Sequence, residues 1–247
     1  MRALLPQGVR GPVFGLLGRL YPKADWAPKI FRAKTTLEAM ARDSVAGYFH
    51  GVSILGDSLR ARLFSPAFRR ELQGYQAVEV LREHARNAPD HPLSKVQYLD
   101  MKTYLVGDIL TKVDRASMAH ALEVRVPLLD HEFVEWVSGL SPGLKLRGRD
   151  GKYIFKKSLQ PYLSDDILYR SKMGFSVPLA SWFRGVLRER LREALLGTTL
   201  AETEIFDQNF LCQLVDQHQS GARDHSASLW SLLMFEAFQR QVLGVRV

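Results

Sequence analysis

The chain has one cysteine, Cys212, in 247 residues. An intrachain disulfide is therefore excluded, and a reducing compartment such as the cytoplasm fits. Cys212 lies between Leu211 and Leu214 in a helical pattern, which reads as a packed, inert thiol. None of the 18 glycines is adjacent to another, and no block of five or six like charges occurs. No apolar window approaches the length of a membrane span. The N-terminal run is interrupted by Pro6, Arg10, Pro12 and Arg19, so no signal-peptide core survives. His84, His91 and His218 have no metal-ligand spacing to a cysteine or carboxylate cluster, so no protein-held zinc is expected. Repeats and low-complexity segments are absent, and alternating strand patterns are nearly so.

What is present is ordinary globular material. Hydrophobic residues make up 46% and charged residues 24%. The length suits one large domain or two small ones with a substantial core. A net charge of +8 favours anionic partners: nucleotides, pyrophosphate, nucleic acid or acidic lipid. Its even spread along the chain weakens the nucleic-acid and membrane readings.

Helical periodicity and capping residues recur throughout. Thr35 and Glu38 form a capping-box pattern for a helix to about Val45, while Gly47 to Leu59 is ambiguous between helix and loop. Ser65 with Pro66 opens a helix ending near Gly74. Tyr75 to Ala85 is helical, and Ser94 caps another helix that Gly107 breaks. Asp130 caps a helix carrying Phe133, Val137 and Leu140, which Ser141 to Gly143 end. A basic hairpin over Leu144 to Gly151 precedes a helix over Lys152 to Leu159, and Ser164 caps a short helix to Tyr169. Ser181 starts a helix and Asp207 caps one, with a polar turn at Gly221 to Ser226. Leu229 to Val242 reads as a helix apolar on nearly all sides. Trp182, Trp230, Phe235 and Phe238, at helical spacings, read as core. The fold class is mostly α.

The stretch Asp108 to His131, DILTKVDRASMAHALEVRVPLLDH, organises the chain. Asp108 reads as an N-cap. Asp108, Lys112 and Arg115 share one helix face. After Leu122, Glu123 and Arg125 alternate with Val124 and Val126, and Pro127 disfavours helix at Val126. On spacing alone this is a buried helix with a solvated stripe and a salt-bridged turn.

That run closely resembles the signature in the synthetase half of glutamine-hydrolysing asparagine synthetases. YRSKMGFSVPLASWFR (Tyr169 to Arg184) and HSASLWSLLMFEAF (His225 to Phe238) agree with it in order. The similarity covers most of Leu93 to Phe238. The opening segment, RALLPQGVRGPVFGLLGRLYPKADWAPKIFRAKTTLEAMARD, resembles the exosortase-associated branch of these amidotransferases. The resemblance implies that residues 1–247 are the C-terminal helical portion of an adenine-nucleotide alpha-hydrolase-like (PP-loop ATP pyrophosphatase) synthetase domain. Its nucleotide-binding sheet is largely missing. Three family features have no counterpart here: the cysteine after the initiator methionine, whose place is taken by Arg2; the Ser-Gly-Gly-x-Asp-Ser loop; and a Gly- and acid-rich segment that helps hold magnesium and nucleotide.

The implied chemistry is adenylation of a carboxylate with ATP and Mg²⁺, then attack by glutamine-derived ammonia and release of AMP. Both cofactors belong to the full-length parent, and tight binding to residues 1–247 alone is not expected. By residues alone, Lys172 is a solvated loop lysine beside Arg170 and Gly174. The resemblance places the lysine of RSKMGF near the ATP phosphates or pyrophosphate. An ammonium about 4 Å from a phosphate charge is worth roughly 4 kcal/mol at an effective dielectric near 20. Asp114, Arg115, Glu123 and Arg125 are implied to line the cleft, either orienting the substrate or fixing the wall by ion pairs. Asp114 and Asp130 read more readily as structural, and Ser117 and His120 as packing. Expected partners are the rest of the parent chain and a small carboxylate, with a homodimer left open. The acceptor is aspartate by family default, or a surface-polysaccharide precursor by the branch resemblance. A different class remains: a non-catalytic basic helical module binding nucleic acid or an acidic partner. So does a separately encoded subunit that needs a partner carrying the missing loop.

Overall fold

The computed structural model describes residues 12–17, 41–171 and 177–244. It is helical apart from one two-stranded antiparallel hairpin among the described residues. The chain divides into two compact units, residues 52–76 with 175–247 in one and the remainder in the other.

The smaller unit holds α2 (Asp57–Leu63), α3 (Pro66–Glu71), α11 (Leu179–Arg184), α12 (Arg188–Leu196), α13 (Thr198–Ala201), α14 (Gln208–Gln219) and α15 (Ser226–Gln241). Helical spacing dictates its core. Leu191 and Leu195 on α12, Leu211, Leu214 and Val215 on α14, and Leu229 and Leu232 on α15 close over Phe183 and Leu200. Burying each such side chain stabilises by about 1.5–3 kcal/mol. Ser65 caps α3, its Oγ accepting from the Phe68 N–H at 3.0 Å. Both sides of that turn are sewn to the α13–α14 loop: Ser65 N–H donates to the Ile205 carbonyl and Asp207 N–H to the Leu63 carbonyl, each at 2.8 Å. Asp207 then caps α14 through the Phe210 N–H at 2.9 Å. Gly197 is required where α12 meets α13, because a Cβ there would lie 2.5 Å from the Glu193 carbonyl oxygen.

The larger unit contains α1 (Ser44–Val52, closing at the unit's border), α4 (Val78–Ala85), α5 (Pro92–Lys102), a π-helical turn (Leu105–Leu110), α6 (Thr111–Met118), a 3₁₀ turn (Pro127–Leu129), α7 (His131–Gly139), α8 (Pro142–Lys145), β1 (Leu146–Arg147), β2 (Asp150–Gly151), α9 (Tyr153–Leu159) and α10 (Asp165–Leu168). Its described residues bury only two large apolar side chains, Leu81 and Leu99. Tyr48 on α1 donates to Asp100 Oδ1 on α5 at 2.7 Å. Burial and that carboxylate hold its hydroxyl well above the usual tyrosine range. The hairpin pairs Leu146 with Gly151 and Arg147 with Asp150.

Several sequence expectations shift. The Thr35–Glu38 capping box lies outside the described residues; Arg42–Asp43 breaks the helix, and α1 starts afresh with Asp43 Oδ1 accepting from Ala46 N–H at 2.8 Å. Asp108 is not a cap, because the chain enters α6 through the π turn and needs none; it pairs with Lys112 at 3.5 Å instead. Gly107 sits inside that turn, and α5 ends earlier, at Lys102. His91, not Ser94, caps α5, since Pro92 supplies the fixed φ of a first helical position. For the same reason Pro142 opens α8 where a loop was expected. Helix α11 begins at Leu179, before Ser181. Helix α15 is one-sided: Leu229, Leu232 and Glu236 are buried, while Trp230, Met234 and Phe238 are exposed.

Candidate functional site

The sequence-defined stretch is assembled from three local devices. Helix α6 ends with a left-handed step at Ala121 (φ 53°), and the Leu122 N–H returns to the Ser117 carbonyl at 3.0 Å. This is the geometry that usually recruits glycine. The chain then extends until Pro127 turns it. Asp130 restarts helix by accepting from the N–H groups of Glu132 and Phe133 at 3.1 and 3.3 Å. Replacing Asp130 with alanine is expected to cost about 1 kcal/mol of stability, read by denaturant titration; an unchanged midpoint would remove the cap from this account.

Asp114 and Arg115 lie on α6 and are exposed. Glu123 and Arg125 point to the same side of the extended segment, two residues apart, and form an ion pair at 2.6 Å with side chains 70% and 83% exposed. No ion pair joins the α6 charges to this pair among the described residues. In water such a pair contributes about 0–1 kcal/mol. It orders two charges without neutralising a buried site. The structure therefore brings Glu123 and Arg125 together and leaves Asp114 and Arg115 apart from them. Lys172 lies outside the described residues. Among the described residues no three His, Cys, Asp or Glu side chains converge on a metal position. The magnesium that a carboxylate-adenylating reaction uses thus has no ligand set here, and no step is derived through it.

The basic hairpin region consumes its own charge. Arg147 donates to Tyr153 Oη at 2.6 Å and lies 5.1 Å from that ring's centre. Lys156 pairs with Asp150 and sits 4.8 Å from the Tyr169 ring centre. Lys145 is buried, its ammonium donating to the Ser138 carbonyl in the last turn of α7 at 3.0 Å. That position suits a cation at a helix C-terminus.

Sequence reasoning missed a polar cluster in the smaller unit. His218 is fully buried on α14. Its Nδ1 accepts the His225 N–H at 3.1 Å and lies 3.5 Å from Asp224 Oδ1. Its ring meets Phe183 edge-on, and its carbonyl accepts from Arg184 Nε at 2.9 Å. The signal was available: positions 211, 215 and 218 continue one helical stripe. Burial, then the Arg184 charge, push the imidazole below its ordinary value of 6.5; Asp224 and the Ala180 carbonyl oppose them. The unfolded chain therefore binds this proton more readily. The stability contributed by neutral His218 is complete above the unfolded value and is lost as pH falls from there toward the depressed folded value. Thermal scans from pH 7.5 to 5 are expected to show the smaller unit weakening across that window, with a flatter profile for His218→Gln; identical slopes would exclude His218 as the titrating group. Nearby, Arg192 pairs with Asp216 at 2.6 Å. Burial, then a hydrogen bond to Asp216, push the half-buried Cys212 thiol up, so it is a poor nucleophile.

No described helix is long and apolar enough to cross a membrane. Comparison with known proteins gives a match to the asparagine synthase family model over residues 16–240. A putative glutamine-hydrolysing asparagine synthetase of Mycobacterium tuberculosis is 36% identical over 188 residues, covering 76% of this chain and 28% of that protein. Glutamine-hydrolysing asparagine synthetase 1 of Bacillus subtilis is 27% identical over 222 residues, 90% of this chain and 34% of its own. Amidase chry2 of Gibberella zeae is 26% identical over 241 residues, 94% of this chain and 34% of its own. The chain thus spans about a third of the length of these curated relatives. No solved structure matches it significantly. With the family model matched across both compact units, the chain belongs to the asparagine synthase family.

Proposed function

We propose that the chain is the helical part of an ATP-dependent amidotransferase that adenylates a carboxylate and transfers glutamine-derived ammonia to it. The observation that carries this reading is the family match over residues 16–240, within which the sequence holds both the DILTKVDRASMAHALEVRVPLLDH stretch and RSKMGF. In this reading Lys172 steadies charge developing on the pyrophosphate leaving group. The Glu123–Arg125 pair supports a role as a charge-matched rim that orients the acceptor, whose zwitterionic or anionic groups would exchange partners with it. The acceptor is aspartate or, if the exosortase-associated resemblance of the opening segment holds, a carboxylate of a surface-polysaccharide precursor. The phosphate-cradling loop and the glutaminase cysteine come from the rest of the parent chain. Residues 1–247 alone are therefore expected to show no ATP–pyrophosphate exchange, measured with labelled pyrophosphate and either acceptor. Robust exchange from the isolated chain would contradict the division of labour.

A further inference from the structure

The two units differ in a way that ordinary folding does not produce. The smaller unit closes twelve buried apolar side chains into one core. The larger unit buries Leu81 and Leu99 and leaves its most apolar stretch in water. Every residue from Met118 to Glu132 is exposed. Within it Leu122, Val124 and Val126 alternate along extended main chain, followed by Leu128 and Leu129; Leu122 is 60% exposed. Trp136, at 61%, lies beyond on α7, its ring centre 6.0 Å from that of Phe133. The N–H groups of Glu123, Val124 and Arg125 donate no backbone hydrogen bond among the described residues. Contiguous exposed apolar surface joined to unpaired extended backbone marks an interaction face.

We infer that the face running from Leu122 to Trp136 docks against the portion of the asparagine-synthetase-type polypeptide that this chain does not span. This rests on the function proposed above. Two observations select that occupant. The curated relatives are about three times longer than the matched segment, so each carries chain able to cover the face. The charge of the face opposes a second copy. Between Tyr104 and Trp136 there are six carboxylates and three cations, in a chain whose net charge is +8. Two copies would bring net negative rims together. The fitting partner has an apolar centre with a cationic rim.

The test places benzoylphenylalanine at Leu122, or at Val186 of the smaller unit as an 84%-exposed control, in the cell that makes the protein. Photoproducts are mapped by mass spectrometry. The expected result is crosslinking from Leu122, severalfold above Val186, to peptides of an asparagine-synthetase-type polypeptide lying outside these 247 residues. Leu122-to-chain crosslinks between two copies, crosslinks to an unrelated protein, or yields equal to the control each overturn the proposal. ATP–pyrophosphate exchange on the same preparation separates the two readings: exchange without the crosslink rejects the docking face alone, and the crosslink without exchange rejects the amidotransfer chemistry alone.

Discussion

Replacing Lys172 with alanine in the amidotransferase that contains this chain is expected to lower amide synthesis on the order of 10²–10³-fold while sparing glutamine hydrolysis. The magnitude is that of removing one preorganised donor from a site where anionic charge develops. The reason for the split is division of labour. Glutamine hydrolysis runs through a cysteine elsewhere in the family and makes no demand on a phosphate contact. Lysine suits the role as a compact charge on a flexible stem. Arginine at the same position should restore little, because a planar fork places its charge differently. The measurement is acceptor-dependent amide formation beside glutamate release. Parallel loss of both activities would indicate a folding defect, and unchanged synthesis would take Lys172 out of the mechanism.

Replacing Phe183 with alanine is expected to destabilise the smaller unit by about 3–5 kcal/mol. The ring is fully buried and sits between the His218 edge and the Trp230 face, with centroids 6.2 and 6.4 Å away. Its removal would leave a cavity walled by α14 and α15, two helices already fixed by the Leu211, Leu214, Leu229 and Leu232 contacts, so collapse into the void is limited. Denaturant unfolding followed by tryptophan fluorescence measures it. Trp136→Ala, which removes a larger but mostly exposed ring, should shift stability by about 0.5 kcal/mol or less in the isolated chain. If the two substitutions cost the same, the assignment of the core to one unit is wrong.

Much of the local structure was written in short patterns. Ser65–Pro66, Asp130 and Asp207 are helix starts because a side-chain oxygen and a free N–H two or three residues on need nothing distant to meet. The hairpin after Leu144 and the turn after Gly221 are equally local. Asp108 shows where this stops. It has the chemistry of a cap, but the backbone entering α6 was already helical, so the cap had no orphan donor to serve. His91 took the role expected of Ser94 because Pro92 moved the start of α5 upstream.

Composition and motif alone determined that this is a mostly helical chain without disulfides, and that it carries the asparagine synthase signature. Periodicity reports only what lies three or four residues away, and that was enough. Which apolar faces find partners was decided by tertiary packing. The same kind of Leu–Val pattern is sealed in α14 and left in water after Leu122, because burial depends on elements brought from far along the chain. The pairing of Glu123 with Arg125, the sequestering of His218 and Lys145, and the sorting of one helical sequence into a closed unit and an open one have the same cause.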